Sequence, residues 1–300
     1  VQTRTGFAAS NSLDIAYEDM GNPDDPAVLM IMGLSAQMTL WPNEFCERIV
    51  DMGFRVIRFD NRDIGLSTKM DAMRIQGSAL LRLLRTGLGA PSTVPYTLLD
   101  MTADAIGLLD YLDIDRVHVV GASMGGMIAQ ILSGLYPDRV LSTAIIFSST
   151  NEAFLPPPDP RALIPLMKGP GPGASREEIV RHSANTRRII GSPAYPTPMD
   201  ELLETAGQMY DRNYCPAGAL RQMAAVTGTG SLRRYTTQIA GPTVVVHGRA
   251  DRLMRPTGGK AVARAAKNSR LHLIDGMGHD LPRPLWDEIL GELSSNFGRV

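Results

Sequence analysis

Six short, almost wholly apolar runs punctuate the chain: "AVLMIM" (27–32), "FRVIRF" (54–59), "RVHVV" (116–120), "LSTAIIF" (141–147), "PTVVVH" (242–247) and "RLHLI" (270–274). A strand with one wet face alternates apolar and polar residues, whereas a strand apolar throughout must be covered on both faces. Helical patterns lie between most of the runs, including "WPNEFCERIVDMG" and "LLDMTADAIGLLDYLDI". In the second, Thr97 and Asp100 have the spacing of a capping box. Leu98, Met101, Ala105, Leu108, Leu109 and Leu112 then recur as a broad apolar face. This alternation predicts an α/β fold: a mostly parallel central sheet with helices on both faces. Ahead of it, "SLDIAYEDM" alternates and meets the turn signal "GNPDDP", which predicts an early antiparallel strand and a hairpin-like loop.

Two segments break the rhythm. Residues 68–96 form an extra stretch with a short amphipathic helix. Between the runs at 147 and 242, "SSTNEAFLPPPDPRALIPLMKGPGPGAS" reads from its proline and glycine density as a linker. Three helical patterns follow it: "REEIVRHSANTRRII", "MDELLETAGQMYDRNY" and "GALRQMAAVTG". The expected organisation is a core of residues 1–147 and 239–300 with a helical cap, 148–238, inserted into it.

With a formal net charge of -1 over 300 residues, the chain gives no reason to expect nucleic acid or an anionic membrane as a partner. Cys46 and Cys215 are far apart in sequence and imply neither a disulfide framework nor a thiolate metal site. No apolar stretch is long enough to span a membrane. The start, "VQTRTGFAASNSLDIAYED", lacks the basic and apolar regions of a signal peptide, so a cytoplasmic protein is the default expectation. Nothing in the sequence supports a homo-oligomer.

In an open α/β sheet, ligands sit beyond the carboxyl ends of the strands. At one such end, "VVGASMGGMIAQ" places Ser123 in a G-x-S-x-G turn between an apolar strand and an apolar helix. Gly121 and Gly125 there relieve crowding as the backbone doubles back. A serine hydroxyl needs a base. His118 and His272 lie inside strands, His182 sits among arginines on a cap helix, and His247 closes "VVVHG" as a turn residue. His279, in the loop "LIDGMGHDLPRP" after the last strand, is the expected base. The carboxylate that orients it is expected to be Asp251, in "HGRADRLMRP", and the order Ser123, Asp251, His279 fits this type of sheet. Asp275 and Asp280 compete with Asp251 by proximity to His279 in sequence.

Backbone N–H groups of Met124, at the helix start, and of Leu34, after Gly33 in "MGLSAQMTLWP", are the expected oxyanion donors. Ser35 is expected to cap the short helix ahead of Trp41. Met209 and Met223 are the cap methionines proposed to line a lipophilic pocket. Arg187, Arg188, Arg221, Arg233 and Arg234 could meet an acidic group on a substrate, although a solvated surface accounts for most of them. No metal-ligand spacing occurs, and "VVGASMGG" is not a dinucleotide fingerprint, so neither metal nor organic cofactor is expected.

Taken together, "MGLSAQMTLWP", "FDNRDIGLST", "VVGASMGGMIAQ", "HGRADRLMRP" and "GMGHDLP" resemble, in order and over nearly the whole chain, the α/β-hydrolase superfamily. In relatives, an Asp-x-Arg-x-x-Gly-x-Ser loop is structural. The resemblance therefore implies scaffold roles for Asp60, Arg62, Gly65 and Ser67. Met32-Gly33 stands where many members have His-Gly, which makes the pocket mouth more apolar. Among subgroups the chain looks most like serine esterases related to the aclacinomycin methylesterases. The expected function is hydrolysis of a carboxylic ester of a lipophilic small molecule through an acyl-enzyme. Carbon–carbon bond hydrolysis is the runner-up. Thioesterase, lactonase and perhydrolase activities would use the same three residues. A non-catalytic binding module on the same fold would have no need of serine, acid, histidine and glycines together.

Overall fold

The computed structural model describes residues 1–171 and 173–299. Eight strands form one sheet: β1 (Thr3–Ser10), β2 (Leu13–Met20), β3 (Ala27–Ile31), β4 (Arg55–Phe59), β5 (Val117–Ala122), β6 (Val140–Ile146), β7 (Thr243–Gly248) and β8 (Ser269–Ile274). Their spatial order is β1-β2-β4-β3-β5-β6-β7-β8. The pairs β1/β2 and β2/β4 are antiparallel, and all the others are parallel.

The hairpin differs from the sequence expectation. It closes before the "SLDIAYEDM" strand, at Asn11 and Ser12, whose φ angles are 50° and 64°. Two positive φ angles suit the two-residue turn whose twist matches its flanking strands. "GNPDDP" instead connects β2 to β3. The strand before the turn, "TRTGFAAS", is hard to recognise because Gly6, Ala8 and Ala9 blunt its alternation.

Helices α1 (Asn43–Val50), α2 (Ala79–Gly87), α3 (Leu98–Tyr111) and α4 (Met124–Leu135) precede β6. Val28 and Met30 of β3 pack with Trp41, Phe45, Trp286 and Leu293 on one face. Leu29 and Ile31 pack with Leu108, Met127 and Ile128 on the other. Successive residues of one strand thus enter opposite cores, which is why the strand is apolar at every position. The Thr97–Asp100 capping box opens α3, with Asp100 accepting from the Thr97 amide at 2.7 Å.

Between β6 and β7 lie α5 (Pro160–Met167), α6 (Arg176–Ile190), α7 (Met199–Arg212), α8 (Pro216–Gly228) and α9 (Arg233–Thr236). The three expected helices are α6, α7 and α8, but two more are present. In α5, Asp159 caps the Arg161 amide and Pro160 takes the first turn, so part of the stretch read as linker carries a legitimate helix start. Helices α6 and α7 share a small core of Val180, Ala184 and Ala206. Ala225 of α8 and Tyr235 of α9 belong instead to the sheet-side core. After β7 come α10 (Pro256–Ala265) and α11 (Trp286–Phe297).

The loop after β4 ties these parts together with buried charge. Arg62 pairs with both oxygens of Asp104 at 2.6 Å. Asp60 accepts from Arg212 of α7 at 2.7 Å, and Asp63 takes a two-pronged contact from Arg221 of α8 at 2.7 and 2.8 Å. Arg221 therefore braces the fold and is neither solvated nor free for a substrate. The Arg221 guanidinium and the Tyr96 hydroxyl help hold the Asp63 carboxyl below its usual range despite its burial, whereas burial raises that of Asp104. Arg62→Met would leave Asp104 buried without its cation. Such a change costs about 3–5 kcal/mol, to be read as a lowered urea midpoint with an unchanged slope.

Candidate active site

Strand β5 turns directly into α4 through Ser123, whose backbone sits at φ 56° and ψ −118°. A non-glycine residue there is strained, and such strain persists only where the surroundings enforce it. The enforcement is steric. A Cβ on Gly125 would lie 2.0 Å from the Ile31 carbonyl oxygen, and one on Gly121 would lie 2.3 Å from that of Gly125. The helix is pressed onto β3 and β5, and the serine projects from the bend. The Ser123 amide donates to Ile146 at 2.9 Å and its carbonyl accepts from the Ser148 hydroxyl at 2.7 Å.

Ser123 Oγ lies 3.0 Å from His279 Nε2, and His279 Nδ1 lies 2.7 Å from Asp251 Oδ2. A carboxylate only accepts, so Nδ1 carries the proton and Nε2 is left to accept from the serine. The other Asp251 oxygen accepts from the amides of Leu253 and Met254 at 2.9 and 2.8 Å, which fixes the carboxylate plane. His247 supports the same loop: its Nε2–H donates to the Met254 carbonyl at 2.7 Å. Burial lowers its pKa, so it is a neutral brace. The imidazole of His279 packs against Phe147, with centroids 4.6 Å apart. The loop carrying it is held by the end of α6, where the His279 amide donates to the Ile190 carbonyl at 2.8 Å.

The two competing carboxylates are engaged elsewhere. Asp275 is exposed and pairs with Arg249 at 2.7 Å. Asp280 accepts from the Ser192 hydroxyl. The remaining histidines also have other partners. His118, pushed down to about 4 by burial, contacts Ser142 at 2.8 Å. His272 pairs with Glu288, and His182 meets the Pro165 carbonyl.

Gly33 brings its turn against Ser123: a Cβ there would lie 3.0 Å from the serine Cβ. Neither the Leu34 nor the Met124 amide is committed to another acceptor among the described residues. Ser35 is not a helix cap. It lies at φ 58°, the following 3-10 turn (Met38–Leu40) begins after Gln37, and the Ser35 amide donates to Gln222 Oε1 at 2.9 Å. Gln222 in turn donates to the Arg62 carbonyl, so a side chain of α8 sets the turn bearing Leu34. Nothing near Gln222 in sequence announces this, because its partners are more than 150 residues away.

Beside that turn is a cavity of about 70 Å3 lined by Ser35, Gln37, Ser183, Met209, Tyr210 and Tyr214 among others. Met209 is therefore at the cavity and Met223 is not. Ile179 and Ser183 both line it, and Arg187 follows them at the same four-residue spacing on α6. Arg187 Nη2 lies 2.9 Å from Met209 Sδ. No carboxylate pairs with it among the described residues, and burial lowers its pKa to about 10. It is still a cation at neutral pH. Arg188, the next residue on the helix, lines an outer groove with Arg161 and Arg252 instead. Arg233 pairs with Glu152 and Arg234 stacks on Tyr235.

The model of the alpha/beta hydrolase fold family matches residues 26–282; the chain belongs to this family and is a hydrolytic enzyme of that superfamily. It is 26% identical over 299 residues to the rhodomycin D methylesterase of Streptomyces peucetius, covering 93% of each chain. It is also 24% identical over 276 residues to a 2-hydroxy-6-oxononadienedioate/2-hydroxy-6-oxononatrienedioate hydrolase of Pseudomonas putida, covering 89% of this chain and 86% of that one. Among solved structures, the 2-hydroxy-6-oxo-6-phenylhexa-2,4-dienoate hydrolase of a Rhodococcus strain superposes with a TM-score of 0.74 at 20% identity, covering 99% of each chain. The methylesterase resemblance is thus not unique, since carbon–carbon bond hydrolases are equally represented by relatives spanning most of the chain.

Proposed function

We propose that Ser123 is the nucleophile, His279 its base and Asp251 the group that orients and stabilises the imidazolium, with the Leu34 and Met124 amides receiving the oxyanion. The hydrogen-bonded series from the strained Ser123 through His279 to Asp251 carries this reading. Attack of Oγ on a carbonyl carbon passes its proton to His279 Nε2. Collapse of the tetrahedral intermediate expels a leaving group that takes this proton. Water, deprotonated by the same imidazole, then releases the acid and restores the serine.

The bond broken depends on what leaves. The reading best supported is hydrolysis of a carbon–carbon bond next to a ketone, in a lipophilic small molecule bearing an acidic group. The leaving carbon takes the bonding electrons and then the proton from His279. Its support is Arg187, a half-buried cation with no carboxylate partner among the described residues, together with the several relatives named for such reactions. Cleavage of a methyl or other carboxylic ester is the second reading, supported by the methylesterase relative that spans 93% of the chain. Residues 148–238 are the proposed cap that chooses the substrate. The cavity of about 70 Å3 beside the oxyanion turn is smaller than the several hundred Å3 that enclose a drug-sized ligand, so it can hold only part of one.

Two assays on one preparation separate the readings: a 2-hydroxy-6-oxodienoate, followed by loss of its visible absorbance, and an aromatic methyl ester, followed by methanol release. The dienoate is expected to turn over with the higher kcat/KM. Arg187→Met should lower that value about 10–100-fold, as loss of a charge-assisted hydrogen bond does, while leaving p-nitrophenyl acetate hydrolysis within about twofold. Turnover of the ester alone would establish the second reading.

A further inference from the structure

Helix α2 is mounted with its apolar side outward. Leu80, Leu81, Leu84 and Leu88 are 68%, 57%, 60% and 62% exposed, and no residue of the helix is buried. The side facing the body is the polar one: Thr86 donates to the Thr227 carbonyl of α8 at 2.7 Å, and Arg82 is half-buried. Phe154, whose amide donates to Gly87 at the end of α2, extends the patch and is 86% exposed. Its backbone is held at φ 63°, an unfavourable conformation for an aromatic residue. A monomeric surface rarely carries so large a contiguous apolar patch without a partner.

Charge identifies the partner. From residue 72 to residue 99 the chain contains Arg74, Arg82 and Arg85 and no aspartate or glutamate. The side chains of Arg82 and Arg85 donate only to the backbone carbonyls of Gln76 and Pro91. No ion pair engages any of the three arginines among the described residues. We infer that α2 and Phe154 dock on an anionic lipid surface, with the leucines and Phe154 in the acyl boundary and the exposed Arg74 and Arg85 among the headgroups. A second copy of the chain is a poorer occupant, because apposed α2 helices would bring six arginines together with no carboxylate from these segments between them. No helix among the described residues is long and apolar enough to cross a membrane, so the contact lies on the lipid surface. The patch abuts α8, whose Gln222 sets the Leu34 turn, and it would hold that side of the site toward the lipid. The inference does not depend on which bond the enzyme breaks.

Co-sedimentation with phosphatidylcholine vesicles, with and without phosphatidylglycerol, tests it. The wild-type chain is expected to partition preferentially to the anionic vesicles. Arg74→Gln and Arg85→Gln should each weaken this about fivefold, and raising the salt should mimic them. The triple variant Leu80→Ser, Leu84→Ser, Leu88→Ser should lose at least about tenfold on both vesicle types. Its hydrolysis of p-nitrophenyl acetate in vesicle-free buffer should stay within about twofold of wild type, since none of these residues touches the site. Absence of vesicle binding by the wild type would overturn the inference, as would binding indifferent to the leucines. So would a dimer in analytical ultracentrifugation that the triple variant abolishes, which would assign the patch to a second copy.

Discussion

Ser123→Ala is expected to reduce kcat by about a millionfold, and adding His279→Ala should cost almost nothing more. Nucleophile and base act as a unit: with Oγ gone, a base 3.0 Å away has no proton to take, and without the base the hydroxyl is a poor nucleophile. Removing either member of such a pair costs nearly as much as removing both. Substrates with intrinsically better leaving groups will narrow the factor without changing that equality. The readout is single-turnover acylation, with mass added at Ser123 by an organophosphonate in the wild type and none in Ser123→Ala. Alanine keeps the Cβ that fixes the elbow's packing, so thermal unfolding should move little. Roughly additive losses in the double variant would mean that Ser123 and His279 serve separate steps and would remove the proposed nucleophile–base pair.

The parts of this site written locally in the chain are legible in the amino-acid sequence. The elbow is one: Gly121, Ser123 and Gly125 lie within five residues, between a strand and a helix whose apolar patterns identify them. The loops after the last two strands are another, because topology alone delivers their residues to the same sheet edge. What is not legible depends on contacts between remote segments. Gln222 resembles any helical glutamine until its partners Ser35 and Arg62 are known. Arg187 is one of two adjacent arginines, and only the rotation of α6 against α7 turns it toward Met209 and Arg188 toward the outer groove. Arg221 cannot be distinguished from a surface arginine without Asp63, 158 residues away. The weak signal of β1 has another cause: paired as an edge strand, it needs little apolar pattern of its own.

Asp251→Asn is the second large expected loss, about ten-thousandfold in acylation, with substrate affinity preserved. The amide can accept at Oδ1 from Leu253 and Met254, so the loop should keep its shape. At the position of Oδ2, however, it presents an NH2 group to His279 Nδ1. The imidazole must then accept there, moving its proton to Nε2, where it faces Ser123 as a donor and cannot act as base. The competing carboxylates give the control. Asp275→Asn breaks only an exposed pair with Arg249 and should leave both rate and stability within about twofold. Asp280→Asn keeps an acceptor for the Ser192 hydroxyl. Burial raises the Asp280 pKa above its ordinary value. Its contribution to stability is therefore greatest below that ordinary value and is lost as the pH rises through the folded one. At neutral pH the neutral amide should thus hold the fold as well as the carboxylate does, with acylation reduced less than about tenfold. Near-native acylation in Asp251→Asn together with collapse in Asp280→Asn would transfer the orienting role to Asp280 and make the contact between Asp251 and His279 merely structural.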